Sequence, residues 1–299
     1  MRRIFFILLC LTLCSTASVS HVAAWGNGGH SECPPPATPK YGTHDWIAEH
    51  ALDWLPPEEK QFITDHLLDY LYGTELPDNK TIHDGIGDKA KHIVYYSSTG
   101  NLMKNSSAGR ASDLYTQALN NLTSGDFATG AENAGAMSHY IADLAAFGHV
   151  MGSMTDWGKE RHHSDYEDYV GRRTSNYDSE FNSYLIFDGE LAVISAYDAA
   201  LKVAYDTTFD IDGDLTCVWM DQNYDWRNPV FKSRCGESLN LAVNIIADVL
   251  HTLWLEAGKP IPELNLNAIT ALVFILITAT VIVSCRSRRS SGLYGVSVP

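Results

Sequence analysis

No Cys-x-x-Cys pair occurs in the 299 residues, so a zinc site built on thiolates has no basis in this chain. Cysteine is scarce altogether. Cys10, Cys14 and Cys285 fall in or beside apolar end segments, leaving Cys33, Cys217 and Cys235 between them. Positive charge is also short: 21 Lys and Arg face 36 Asp and Glu. Every acid lies between Glu32 and Glu263, a window with 16 basic residues and a formal charge of −20. Such a surface repels nucleic acid and anionic membranes unless bound cations reverse the field locally, which argues against bulk nucleic-acid binding. Internal repeats, low-complexity tracts, long linkers and convincing period-two alternation are missing as well. What remains, 45% apolar residues, is enough for one large buried core.

Both ends read as targeting segments. Residues 1–24 open with Arg2 and Arg3, continue through the apolar run Ile4 to Leu13 and close on Val22-Ala23-Ala24, the pattern of a cleaved signal peptide. The mature chain then starts at Trp25. Leu264 to Cys285 is 22 residues without a charge, long enough for one transmembrane helix, and Arg286, Arg288 and Arg289 follow at once. This predicts a single-pass type I membrane protein, with 25–263 extracellular or luminal and 286–299 a short cytoplasmic tail. Cys217 and Cys235 are the favoured disulfide for that compartment, although spacing alone does not fix pairing. Sequons at Asn79, Asn105 and Asn121 fit an exported glycoprotein.

Between the ends the pattern is helical. Apolar residues recur at three- and four-residue spacing in Asp45–Leu55, Glu58–Leu71, Ser112–Leu122, Ala131–Ala146, Tyr166–Arg172, Glu190–Tyr205 and Glu237–Ala257. The expected fold is all-α, a single helical-bundle domain over 25–263. Residues 206–236 read as a long ordered excursion. The short segment Gly258–Glu263 keeps the domain close to the membrane.

Chemistry concentrates in His, Asp and Glu on helix faces. His139 and Asp143 are four apart, so both project from one face as two ligands of one metal must. His163 and Glu167 repeat that spacing, and His149 follows Asp143 by six residues just after Gly148. One such pair is more often a solvated ion pair. Two pairs with a nearby third His, and no cysteine, suit zinc in open coordination.

Together, Trp25, Thr43-His44-Asp45-Trp46-Ile47, Leu76-Pro77-Asp78, His92-Ile93-Val94-Tyr95-Tyr96, Ser138-His139-Tyr140-Ile141-Ala142-Asp143, His149 and His163-Ser164-Asp165-Tyr166-Glu167 resemble the zinc-dependent phospholipase C family over about residues 25–170. The resemblance implies an all-helical bundle with three zinc ions. Asp78, His92, His139 and Asp143 would hold one. Asp143 would bridge to a second held by His44 and the backbone amine and carbonyl of Trp25, and His149, His163 and Glu167 would hold the third. Asp78, as ligand or as general base, is the implied catalytic residue. A free amine at Trp25 binds zinc only after cleavage and deprotonation, so export would complete the site.

The resemblance implies hydrolysis of phospholipids at a membrane surface to diacylglycerol and a phosphorylated head group. Two other readings stand beside it. Trp25 to His30 also resembles the start of S1/P1-type single-strand nucleases, and a non-catalytic adhesion domain with structural metals would show the same ends. The 14-residue step from His149 to His163, the Glu at 167 and the nearby apolar run favour lipid. Asn79 and Lys89 stand where choline-specific members carry aromatic residues, so the resemblance does not extend to choline selectivity. Asp84 and Asp88 compete with Asp78, His83 with His92, His30 with His44, and His162 with His163. His50, His66 and His251 read as ordinary histidines, and Asp210-x-Asp212-Gly213-Asp214 as a solvated loop rather than a calcium site.

Overall fold

In a computed structural model the described residues are Trp25 and 41–258. The expected leader 1–24, His30, Cys33, the apolar run 264–285 and the tail 286–299 lie outside them. The chain divides into two units, Met1–Pro260 and Ile261–Pro299, and everything described belongs to the first.

The described residues form nine α-helices and one small hairpin: α1 Thr43–Ala51, α2 Pro57–Thr64, α3 Leu67–Gly73, β1 Val94–Tyr96, β2 Leu102–Asn105, α4 Ser106–Ser124, α5 Phe127–Ala142, α6 His163–Gly171, α7 Ala196–Phe209, α8 Cys217–Gln222 and α9 Pro229–Glu256. The all-α expectation holds. Start signals are local. The Gly42 amide donates to Asp45 at the head of α1 (2.8 Å), Pro57 opens α2 with Glu58 and Glu59 in its first turn, and Asn228 caps α9 before Pro229.

Two helices organise the site. The buried stretch of α5 is rich in small residues, which lets α3 and α4 approach closely. At Gly135 an added Cβ would stand 1.8 Å from the Tyr70 carbonyl oxygen, so only glycine permits this crossing. The 28-residue α9 is the central core helix. It is long and apolar enough to cross a membrane, but 78% of its most apolar window is buried within the bundle.

Four sequence expectations need correction. β1 and β2 pair antiparallel, a hairpin that three wholly buried residues, Val94 to Tyr96, do not announce by alternation. Residues 190–195, read as the start of a helix, are instead extended along α9. There Asn240, Asn244, Asp248 and Thr252, spaced by four, accept the amides of Ile186, Asp188, Ala192 and Ile194 at 2.8–3.1 Å. The 206–236 excursion is partly helical, since α9 starts at Pro229 rather than Glu237. Cys217 and Cys235 do not pair. Both are buried free thiols, and the Tyr166 hydroxyl donates to Cys235 Sγ at 3.1 Å, turning that thiol toward α6.

Candidate metal centre

The carboxylate of Asp143 is the hub. As α5 ends it tightens into a short turn over Asp143–Ala145, and a second turn over Phe147–His149 brings His149 back toward the same carboxylate. His44 Nε2 lies 2.9 Å from Oδ1 and His149 Nε2 3.5 Å from it, while His92 Nδ1 and His139 Nε2 lie 2.8 and 3.2 Å from Oδ2. Asp143 is fully buried. Burial raises its pKa, but four imidazoles outweigh that and hold the carboxyl well below its ordinary range. His44 reaches the hub from the head of α1 and stacks on His139 with ring centres 3.8 Å apart. His92 arrives from a 3₁₀ turn over Lys89–Lys91.

Asp78 sits beside this cluster, its Oδ1 3.6 Å from His92 Nδ1. Burial pushes its pKa up, with Asp143 adding to the effect against His139, His92 and Lys89. On the other side, Glu167 Oε1 lies 3.0 Å from His149 Nε2 and 2.8 Å from His163 Nε2, which are themselves 3.3 Å apart.

Three groups have ligand atoms within 4.8 Å of one another: His44, Asp78 and His139; His92, His139 and Asp143; and His149, His163 and Glu167. The last is the set the i, i+4 spacing suggested. The first two share His139 and interlock around Asp143. Trp25 is brought to the same place, fully buried with its indole edge-on to His44 at 5.8 Å. All eight side chains and Trp25 therefore converge.

The rivals do not. His83 and Asp84 pair with each other at 2.6 Å with side chains 88% and 64% exposed. His162 stacks on Tyr224 and faces Asp165, while His50 and His251 are held by Asp53 and Glu59. Asp210 closes its own loop by accepting the Leu215 amide at 2.6 Å.

The donor set fits zinc on an observation independent of spacing. His44 Nδ1, Asp78 Oδ1, His92 Nε2, Asp143 Oδ2 and Glu167 Oε2 are buried yet make no well-directed hydrogen bond. Native interiors tolerate few such atoms, and five at one point mark a place where polar atoms are aimed at something other than each other. Nitrogen and carboxylate donors without sulfur match zinc with open positions.

Around these groups stands a set of partners, of which the sequence reading weighs only Asp88, as a rival of Asp78. His139 Nδ1 lies 2.7 Å from the Thr74 carbonyl oxygen, and His149 Nδ1 2.8 Å from that of His92. Asp88 flanks His92 Nε2 at 3.6 Å, and Glu160 flanks His163 Nδ1 at 3.4 Å. Burial lowers the pKa of both rings, but Asp143, followed by Asp88 and Asp78, lifts His92 to about 10, and Glu160 with Glu167 lifts His163 to about 10. The carbonyls leave no trace in sequence. Asp88 and Glu160 do, at four and three residues before their histidines.

An all-helical domain built around a buried cluster of imidazoles and carboxylates is the architecture of a helical metal-binding protein. The model of the family described as zinc dependent phospholipase C matches residues 43–222, more than half of the chain. The chain belongs to that family, whose members are phosphodiester hydrolases. Among solved structures it is similar to the alpha toxin of Clostridium absonum, with a TM-score of 0.50 at 14% identity over 73% of this chain. It also matches the alpha-toxin of Clostridium perfringens from an avian strain, with a TM-score of 0.41 at 14% identity over 71% of this chain. The chain spans 64% of each toxin's length. At that identity the first likeness concerns the fold. No curated protein sequence matches the chain.

Proposed function

We propose that this chain is a zinc-dependent phospholipase C that releases diacylglycerol and a phosphorylated head group, working on the outer or luminal face of a membrane that residues 264–285 span after cleavage before Trp25. One observation carries the reading: seven side chains scattered from 44 to 167 gather about Asp143 in three overlapping or adjacent groups, Trp25 packs beside His44, and five polar atoms of the cluster are unsatisfied. Three ions are the expected complement. The sets would be Asp78, His92, His139 and Asp143; His44 with Trp25 and shared Asp143; and His149, His163 and Glu167.

When bound, zinc supplies positive charge for the phosphodiester oxygens and makes water nucleophilic at neutral pH. The residues do the rest. Asp78, raised in pKa by burial and with Oδ1 accepting no hydrogen bond, takes the proton of water as its oxygen bonds to phosphorus. The bond from phosphorus to the glycerol oxygen breaks, and that oxygen takes the proton back from Asp78 as diacylglycerol leaves, which returns the carboxylate to its starting state. Thr74 and His92, through their carbonyls, hold the rings of His139 and His149 in one orientation.

The test is direct. The processed chain, beginning at Trp25 and held in detergent, should release phosphorylated head groups from phospholipid micelles, lose this with a chelator and regain it with zinc. Cleavage of single-stranded DNA in place of lipid would move the assignment to a nuclease.

A further inference from the structure

The domain is strongly acidic, yet one stretch runs the other way. From Gly85 to Ala111 it carries Lys89, Lys91, Lys104 and Arg110 against Asp88 alone. Two of these lysines lie on the loop that delivers Asp78 and His92 to the metal centre. That loop folds back on itself: the Ile86 amide donates to the Leu76 carbonyl at 2.8 Å and the Asp88 amide to that of Pro77 at 3.1 Å. Lys89 is thereby laid next to Pro77-Asp78. Gly87, at φ +60°, backs onto Lys80, where an added Cβ would stand 2.3 Å from the lysine Cβ, so Lys80 joins the same lip.

The turn Lys89–Lys91 is 3₁₀, and residues three apart in such a turn project from one edge. Lys89 and His92 have that relation, closed by the His92 amide on the Lys89 carbonyl at 3.4 Å. Lys80, Lys89 and Lys91 are exposed, and among the described residues none of them forms an ion pair. The local acids are already engaged. Asp88 is held by Arg110 at 2.9 Å and by the Tyr140 hydroxyl, Asp84 pairs with His83, and buried Glu75 accepts from Asn79 at 2.9 Å.

We infer that Lys89, backed by Lys80 and Lys91, forms a cationic subsite on the lip of the metal centre that selects phospholipids whose head group carries an anion beyond the phosphodiester and disfavours cationic head groups. The inference rests on the phospholipase reading above. A phosphodiester bound at Asp78 and His92 would hold its head group beside this edge, because the loop that carries Lys89 folds back onto Pro77-Asp78. A phosphomonoester there would gain the unpaired Lys89 ammonium with further positive charge close by, whereas a quaternary ammonium would meet like charge.

The experiment uses zinc-loaded chain processed to begin at Trp25 and otherwise entire, with short-chain lipids soluble as monomers, so that adsorption to a charged surface plays no part. The probes are dibutyryl phosphatidylcholine and dibutyryl phosphatidylinositol 4-phosphate. The expected kcat/KM is about tenfold higher for the inositol phosphate, and Lys89→Glu should reverse that order, on the scale of a few exposed charge contacts. Lys202→Glu, on exposed α7 surface, makes the same change in net charge and should leave the ratio alone. Unchanged zinc content and helical spectrum establish that Lys89→Glu is folded. Equal or better turnover of the choline lipid, or an equal response to both variants, overturns the cationic subsite while leaving the phospholipase reading intact. Failure of zinc-loaded chain to cleave either lipid overturns that reading itself.

Discussion

Nδ1 of His139 lies 2.7 Å from the carbonyl oxygen of Thr74, so the ring is held with Nε2 toward Asp143. The Thr74 hydroxyl shares its one proton between Asp45 Oδ1 at 3.0 Å and the Leu71 carbonyl at 2.8 Å. Asp45 directly follows His44. One threonine thus ties α1, which carries His44, to the end of α3 and to the His139 turn of α5.

Thr74→Val keeps the shape of that residue and removes the hydroxyl. The buried Asp45 carboxylate loses one of its donors, which should cost about 1–3 kcal/mol in urea unfolding. The carbonyl toward His139 then shifts with the loosened turn. Zinc retention in competition with a chelator should weaken by about tenfold, the usual scale for outer partners of metal-bound histidine. Unchanged retention would mean that the carbonyl is held without the hydroxyl.

Asp45 also sets a pH dependence. Burial, opposed by bonds from Gly42 and Thr74, raises its pKa from 3.8 to about 7. The folded state therefore binds this proton more tightly than the unfolded chain does. Stability from the protonated form is fully present below 3.8 and is lost as pH rises to about 7. On the order of 4 kcal/mol is at stake across that window. In metal-stripped protein, Asp45→Asn should flatten the slope between pH 4 and 7 relative to the parent. Parallel curves for the two proteins would remove Asp45 as its source.

Much of this architecture is written in helical spacing, and the rest is not for identifiable reasons. His139 with Asp143 and His163 with Glu167 show themselves because ligands one turn apart need a spacing of four. Asp78 and His92 lie on a folded loop with no period to read, and only the family resemblance singled them out. The hairpin is too short for alternation. Along α9, the polar series Asn240, Asn244, Asp248, Thr252 looks like a solvent face but serves an extended segment of the same chain. The expected disulfide misleads because a gap in sequence says nothing of where a thiol points. Cys235 faces Tyr166.

Asp143 and Glu167 should separate the metal groups. Asp143 touches four imidazoles, whereas Glu167 touches only His149 and His163. Zinc that binds the folded state alone raises Tm by mass action. The parent should lose several degrees on chelation. Asp143→Asn should abolish that loss together with most bound zinc, while Glu167→Gln should remove about one ion and part of the shift. Metal analysis and thermal melts with and without chelator read both. Equal zinc loss in the two variants would make the centre one cooperative unit.

Gly135 tests whether the crossing of α3 and α5 matters to the site or only to the core. A methyl there would stand 1.8 Å from the Tyr70 carbonyl oxygen and 3.2 Å from Gly73 Cα, both backbone atoms, so no side-chain rotation relieves the overlap. The helices must separate, and α5 carries His139 one turn further on while α3 ends beside Thr74. Overpacking of this kind costs about 1–3 kcal/mol when neighbours give way and more when they are main chain. Gly135→Ala is therefore expected to lower Tm strongly and to weaken zinc binding with it. Gly109→Ala, on α4 with nothing within 4 Å of the added methyl, should leave both unchanged or slightly raise stability through better helix propensity. If Gly135→Ala loses stability but keeps full zinc affinity, the crossing serves packing alone, and the position of His139 is fixed by its bond to Thr74.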